Sequence, residues 1–434
     1  MKQRILLSGV MLTLAFTILG VRIFDALALA PQDDTAYSNV QVFTRALQLI
    51  RQDYVDDKKV SYRNLIYSAL RGMLSSLDPH SQFMEPDDFK DMQDDTNSEF
   101  GGLGVVVSIK EGNIVIVHPM EGTPAAKAGL LPGDQILKIN GASTDKMNLT
   151  DAIKQLRGDI GQKVTLSIFR PATREIRDFA VERAIVKVDS VKDAKLLDPT
   201  LTGGFKIGYV RIAQFNKPTA DELGAKLDGL EKNGMQALVL DLRYNPGGLL
   251  DSAVAVCGQF LAPHTAVVST EGRASSQRRI YPTDDKAKNR KYPLAVLING
   301  SSASGSEIVA GALKDLNRAI LVGETSFGKG SVQSVVQLPD GSALRLTTAK
   351  YYTPSKQVIN EHGVAPNIRA TLTGEQERVL MLARRDEDSI TDADKKEIAA
   401  FRDTQLERAA DALKGAMIYG EKTSPKSAGK AAAN

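Results

Sequence analysis

The sequence predicts a multidomain α+β protein, on three observations. Strands and helices alternate from Phe205 to about residue 370, as an α/β core requires. Ahead of that core, residues 97–185 change to short β-rich runs separated by Gly and Asn turns. Both flanks carry helical periodicity instead. At 434 residues the chain exceeds one ordinary core, so two or three domains are expected. The divisions read as an export segment over 1–30, a helical region over 31–96, a β domain over 97–185, the α/β core over 186–370, and a helical region with a disordered tail over 371–434.

The export segment has Lys2 and Arg4 ahead of an apolar stretch over 5–21, then small residues ending at Ala30. It reads as a signal peptide or, uncleaved, as an amino-terminal membrane anchor. Either way the body of the protein faces the outside of a membrane, and the periplasm fits best. Apolar stripes over 37–77 include Phe43, Leu47, Leu70 and Leu74. Asp78-Pro79 ends that helical pattern, because the residue before proline leaves the α region. A short helix follows over 87–92. The β domain shows strands over 105–109, 114–117, 135–139 and 164–169, with a helix over 149–156. In the core, strands over 208–212 and 237–241 flank a helix over 219–233. The second strand is continuously apolar, as expected when both faces are covered. The turn Asn245-Pro-Gly-Gly248 leads into a helix over 249–261, and strands over 294–298 and 319–322 come next. Residues 373–418 are helical and highly charged, and 422–434 read as a disordered, Lys-bearing tail.

Composition is that of a folded globular chain, 42% hydrophobic and 25% charged. The net charge of +3 and the lack of any Lys/Arg run give no basis for a nucleic-acid partner. Cys257, in an apolar helical pattern, reads as a buried inert thiol. His80, His118, His264 and His362 have no ligand spacing, so no metal is expected, and no cofactor either.

The chemistry concentrates where two apolar strands end. Asn299-Gly-Ser-Ser-Ala-Ser304-Gly-Ser-Glu307 follows one, and Gly323-Glu-Thr-Ser-Phe-Gly-Lys329-Gly-Ser-Val-Gln333 follows the other. Side by side at one sheet edge, they would bring a serine hydroxyl to a lysine amine, a nucleophile with lysine as its base. Ser304 also opens a helix, whose free N–H groups and dipole suit a developing oxyanion. Ser302, Ser304 and Ser306 would serve equally as caps, and the pairing with Lys329 favours the nucleophile. Lys329 must be neutral to accept a proton, which requires desolvation. Gln333 shares a strand face with Lys329 and is placed to hold the amine. Gly247 and Gly248 let backbone approach a substrate closely, so their N–H groups, with that of Gly305, are oxyanion-hole candidates. Gly323-x4-Gly328-Lys329 also resembles a phosphate-binding loop. Gly330 stands where that loop needs Ser or Thr, and a strand follows where it needs a helix. Gly102, Leu103, Gly104 and Val105 precede the first strand of the β domain. Their N–H groups suit a peptide's terminal carboxylate, the peptide adding as a strand beside 105–109.

Several segments together resemble one family, the carboxy-terminal processing peptidases, or tail-specific proteases. They are Leu77-Asp-Pro-His80-Ser-Gln-Phe83, Gly102-Leu-Gly-Val105 with Gly122-Thr-Pro-Ala125 and Gly133-Asp134, and Asp241-Leu-Arg-Tyr-Asn-Pro-Gly-Gly248. Residues 299–307, 323–333 and Tyr352-Thr-Pro-Ser355 with Gly363-Val-Ala-Pro366 continue the series in family order and spacing. The resemblance implies that Ser304 is the nucleophile, Lys329 the base and Gln333 its assistant. Gly305 departs from the commoner alanine, without consequence for a backbone donor. It further implies a PDZ domain inserted before a ClpP/crotonase-like protease core. The PDZ domain would bind apolar carboxy termini of protein substrates and gate the site, with Arg157 as the activation sensor. A lipoprotein adaptor, cell-wall hydrolases as substrates, and homo-oligomers, as dimers or larger rings built by the terminal helices, belong to the same expectation.

Overall fold

The computed structural model describes residues 36–110, 112–120, 122–384 and 390–423. The export segment and nearly all of the carboxy-terminal tail lie outside the described residues. The chain forms two compact units that meet in sequence at Leu77 and Asp78. In the first unit, helix α1 (Ala36–Asp53) buries none of its residues and leaves Tyr37, Val40, Val42 and Phe43 exposed. Helix α2 (Tyr62–Ser75) starts at Ser61, whose hydroxyl accepts from the Asn64 N–H, and buries Tyr67 and Leu74. Arg51 stacks on the Tyr62 ring.

The second unit opens with strand β1 (Gln82–Met84), helix α3 (Pro86–Asn97) and strand β2 (Glu99–Gly102). A β domain follows, made of β3 (Val105–Lys110), β4 (Asn113–Pro119), the short helix α4 (Pro124–Lys127), β5 (Gln135–Ile139), β6 (Ala142–Ser143), helix α5 (Leu149–Leu156), β7 (Lys163–Arg170) and β8 (Glu175–Glu182). Its sheet runs β3-β4-β5-β7-β8, so β3 is an edge strand. Its own core includes Leu103, Ile116, Ile136, Ala152, Leu156 and Leu166. Asn148 caps α5 by accepting from the Asp151 N–H at 2.8 Å. Strand β9 (Ala184–Lys187) then pairs antiparallel with β2, Phe100 opposite Val186. Entry and exit of the inserted domain are thus tied by one two-stranded ribbon.

The core holds β10 (Val191–Leu196), α6 (Pro199–Thr202), β11 (Ile207–Ile212), α7 (Thr219–Lys232), β12 (Ala237–Asp241), α8 (Leu250–Gly258), β13 (Ala266–Gly272), β14 (Arg279–Pro282), β15 (Leu294–Ile298), α9 (Gly305–Asp315), β16 (Ile320–Gly323), β17 (Ser331–Gln337), β18 (Ala343–Tyr352) and β19 (Ile368–Arg369). A six-stranded sheet runs β10-β11-β12-β15-β16-β19, parallel except for β10 at its edge. All of β12 and β15 is buried, which accounts for their unbroken apolar sequences. One face packs on residues of α7, α8 and α9, such as Leu227, Val256 and Val309. Cys257 is buried on that side, and burial pushes its thiol well above the ordinary range.

Three helices end the described chain, α10 (Gly374–Ala383), α11 (Asp392–Ala400) and α12 (Thr404–Thr423). The carboxy-terminal end of the chain packs within its own subunit: Ala409, Ala410 and Leu413 of α12 are buried against Val239, Ala295 and Leu297, closing the other face of the parallel sheet. A second, antiparallel sheet joins β1, β18, β13 and β14, with β17 on the free side of β18. Only β17 is legible in the sequence. Strand β1 is three residues long, and much of β18 is half-buried and polar.

Candidate active site

Parallel order puts the ends of β12, β15 and β16 on one edge of the sheet, where α/β folds hold their ligands. Ile298 and Gly323 are register partners, so the loops carrying Ser304 and Lys329 leave the sheet side by side. Hydrogen bonds join these loops to each other and to the loop after β12. The Ala303 N–H donates to Asn245 O at 3.0 Å, the Ser302 hydroxyl to Leu242 O at 2.8 Å, and the Phe327 N–H to Ser302 O at 3.0 Å.

Ser304 sits just before α9 at φ 52° and ψ −111°, backbone that a residue with a side chain seldom adopts. Its side chain makes no cap hydrogen bond to the helix. Ser302 and Ser306 instead donate to Leu242 O and Asn245 O. The unusual conformation is held by Glu307, whose side chain is fully buried. That carboxylate accepts from the Ser304 N–H at 2.8 Å, the Lys329 N–H at 2.9 Å, the Gly328 N–H at 2.7 Å and the Ser326 hydroxyl at 2.6 Å. A single side chain therefore positions the backbone of both candidate reacting residues. Burial raises the Glu307 pKa and the four donors oppose that rise. Its signal in the sequence is the Ser-x-x-Glu spacing of a capping box, Ser304 to Glu307.

Ser304 and Lys329 line one cleft of about 410 Å³, with Gly247, Gly248, Gln333, Arg345 and Tyr351. Lys329 is half-buried. Desolvation first, then the Arg345 guanidinium, pulls its pKa below the ordinary lysine value, while Glu307 acts the other way. His80 is near enough for the Lys329 charge to help lower its own pKa, after desolvation. Gln333 lines the cleft, but its amide donates to Ser331 Oγ at 2.9 Å and Thr347 Oγ1 at 3.4 Å. Asp78 accepts from the same Thr347 hydroxyl at 3.2 Å, which brings the 78–83 motif to this site. Among the described residues no hydrogen bond joins the Lys329 amine to Ser304 or Gln333.

The three candidate oxyanion glycines have different surroundings. The Gly247 N–H already donates to Asn245 Oδ1 at 2.8 Å. A Cβ on Gly247 would stand 2.6 Å from the Ser304 Cβ, so glycine there lets the Ser304 loop come close. Among the described residues no acceptor is seen for the N–H of Gly248 or Gly305. The two residues adjoin, since a Cβ on Gly305 would lie 3.5 Å from the Gly248 nitrogen.

In the β domain, Gly102 ends β2, Leu103 is buried, Gly104 has φ 74° and Val105 begins β3. The Leu103 and Gly104 carbonyls accept from Ala125 and Met120, which fixes the loop at the start of the free edge of β3. Helix α5 packs beside that strand. Arg157, just after α5, stacks on Phe100 at 4.2 Å and reaches Asp95 at 3.3 Å.

A PDZ domain model matches residues 91–169, and a model of peptidase family S41 matches residues 206–370. A carboxy-terminal-processing protease of Bartonella bacilliformis is 42% identical over 343 residues, 77% of this chain and 76% of the relative. A carboxy-terminal processing protease of Bacillus subtilis is 36% identical over 342 residues, 79% and 70% of the two chains. Among solved structures, the photosystem II D1 C-terminal processing protease shares 31% identity over 80% of this chain and 98% of its own, with a TM-score of 0.44. The chain is thus a serine-type peptidase with a PDZ domain inserted before its α/β core. It belongs to the carboxy-terminal processing proteases of peptidase family S41.

Proposed function

We propose that this protein is a periplasmic endopeptidase that cuts with a Ser304–Lys329 dyad. The observation that carries the reading is the Glu307 carboxylate, which holds the main chain of both residues at one sheet edge. Ser304 Oγ attacks the scissile carbonyl and its proton passes to the Lys329 lone pair. The carbonyl electron pair moves to oxygen, facing the N–H groups of Gly248 and Gly305. Collapse expels the amine, which takes the proton back from Lys329. Water then releases the acyl group by the same steps in reverse. Desolvation and the neighbouring Arg345 guanidinium lower the Lys329 pKa, which favours the neutral amine that this step needs. Gln333 assists from the same cleft, by moving its amide from Ser331 to the amine as substrate enters.

Substrates bind through apolar carboxy termini, added as a strand along β3 and led in by Gly102, Leu103, Gly104 and Val105. Arg157 reports occupancy to the core. Family resemblance supports cell-wall hydrolases as substrates, a lipoprotein adaptor that delivers them and assembly into dimers or larger rings. Residues 1–30 support export. Membrane association, if any, runs through that segment alone. Among the described residues no helix is long and apolar enough to cross a membrane.

The test is cleavage of β-casein by wild type, Ser304→Ala and Lys329→Ala, with and without periplasmic extract. Both variants are expected to fold and to lose turnover by at least about a thousandfold. Undiminished cleavage by either would remove its residue from the dyad.

A further inference from the structure

The cleft around Ser304 holds two cations and no anion of its own. Lys329 and Arg345 both line it, and among the described residues that line it there is no Asp or Glu. Arg345 is half-buried in β18, on the strand face that also carries Thr347, whose hydroxyl accepts from Gln333. Its register partners are Gln82 of β1 and Val335 of β17, neither of them charged. Among the described residues no hydrogen bond or ion pair is seen for its guanidinium. The Glu307 and Asp78 carboxylates are occupied elsewhere. Glu307 accepts from four donors, and Asp78 from the His80 and Ser81 N–H groups and the Ser81 and Thr347 hydroxyls. A guanidinium presents a planar fork of N–H donors that matches a carboxylate. Unpaired beside a second cation, this one is suited to an anion that the substrate brings.

We propose that Arg345 is a specificity residue, which pairs with the carboxylate of an Asp or Glu side chain close to the bond being cut. It rests on the Ser304–Lys329 reading, of which it names the preferred substrate. The pairing carries a pH signature. In the free enzyme, desolvation and then Arg345 hold the Lys329 pKa down against Glu307. A substrate carboxylate on Arg345 offsets that positive charge, so the amine of the complex keeps its proton to higher pH. As the proposed base, Lys329 works when neutral. The rising limb of kcat therefore moves to higher pH with an acidic substrate than with a neutral one. The limb of kcat/KM reports the free enzyme and stays in place. The other titratable groups here are Tyr351, which lines the cleft, and His80, which feels the charges of Lys329, Asp78 and Arg345. Both are present whichever substrate is bound, so neither separates the two limbs by itself.

The experiment uses a β-casein segment that wild type cuts, acetylated and amidated, with Glu, Gln or Lys placed in turn on each side of the scissile bond. The amidated end removes the carboxylate that the 102–105 loop would bind. The kcat/KM of wild type is expected to favour Glu over Gln by roughly five- to fiftyfold, between an exposed ion pair and a desolvated charged hydrogen bond, and to disfavour Lys. Arg345→Gln should bring Glu and Gln within about twofold, and Arg345→Lys should keep part of the preference. A neutral peptide with a free carboxy terminus just past the cut separates a terminal carboxylate from a side chain. A preference for that peptide alone assigns Arg345 to a chain terminus and overturns the proposal. Equal cleavage of the Glu and Gln peptides by wild type, or an unchanged preference in Arg345→Gln, overturns it and leaves the dyad intact. Full turnover by Ser304→Ala overturns the dyad and this proposal with it. If Arg345→Gln folds poorly, fluorescence anisotropy of the amidated peptides on Ser304→Ala reads the preference without turnover. There Glu should bind more tightly than Gln by the same factor, and equal affinities count against Arg345.

Discussion

Glu307 shows how much of this site depends on a residue that does no chemistry. Four donors converge on its two oxygens, and only an ionised carboxylate can accept them all. In Glu307→Gln, one oxygen becomes an NH2 that faces N–H or O–H donors. Two acceptor positions are lost, and the backbone of Ser304 and Lys329 is released from its common anchor. The expected cost is roughly 2–4 kcal/mol of stability, from buried donors left unpaired, with turnover down at least about a hundredfold. Electrostatics runs the other way. As the proposed base, Lys329 works when neutral, so activity should rise with pH through its pKa. Glu307 raises that pKa against desolvation and Arg345. Removing the negative charge should move the rising limb to lower pH even as the maximum falls. A pH–rate profile with a thermal melt checks both, and a limb that stays or moves up would mean that Glu307 does not act on the amine. Ser304 and Lys329 were legible in the sequence because each follows an apolar strand. Arg345 and Tyr351 were not, because nothing local says that β18 returns to this cleft.

At the scale of elements, the active-site edge is fastened from behind by a buried charge cluster. Asp241 ends β12, and Arg243 follows it into the loop that becomes Gly247 and Gly248. Both side chains are buried. The Arg243 guanidinium bonds Asp241, and also Asp403 at 2.8 Å and Gln405 at 2.9 Å, from the segment entering α12. Arg384, just past α10, adds a second bond to Asp241 at 2.8 Å, and the Tyr209 hydroxyl donates to it at 2.7 Å. Burial alone would raise the Asp241 pKa. The Arg243 and Arg384 charges outweigh it and hold the carboxyl far below the usual range. A depressed carboxyl contributes stability above its unfolded pKa, near ~3.9, and loses it as pH falls toward the folded value. Arg243→Ala leaves two carboxylates short of their partner, and should cost roughly 3–5 kcal/mol. Its acid unfolding should begin at higher pH than in wild type. Urea melts at pH 7 and pH 4 measure both, and a loss under about 1 kcal/mol would mean that Arg384 suffices. The sequence showed the β12 strand and the Asp-Leu-Arg motif plainly. The partners at 384, 403 and 405 come from distant helices, and long-range charge pairing leaves no periodicity to read.

At the scale of the whole second unit, a chain of contacts links the PDZ domain to the Gly247–Gly248 loop. Arg157 follows α5, beside the edge strand where a peptide would add, and reaches Phe100 and Asp95. At the end of α3, the Thr96 carbonyl accepts from the Lys217 N–H at 3.1 Å, and Ser98 Oγ accepts from Asn216 Nδ2 at 2.6 Å. Phe215, the next residue back, donates its N–H to Gly247 O at 2.9 Å and accepts from the Leu249 N–H at 2.7 Å. Gly248 lies between, so close that a Cβ there would stand 2.1 Å from Phe215 O. Packed and bonded groups thus run in series from Arg157 to the Gly248 loop. Contact alone does not establish coupling; a difference in response does. A peptide with an apolar carboxy terminus should stimulate β-casein cleavage in wild type by roughly five- to a hundredfold, the range of ordinary site-to-site coupling. Arg157→Ala should lose most of that stimulation, with peptide affinity within about threefold of wild type, because Arg157 lies outside the 102–105 loop and the β3 edge. Fluorescence anisotropy gives the affinity and the casein assay gives the response. Full stimulation in Arg157→Ala would mean that occupancy reaches Gly248 by another route, while equal loss of binding and response would place Arg157 in the peptide site itself.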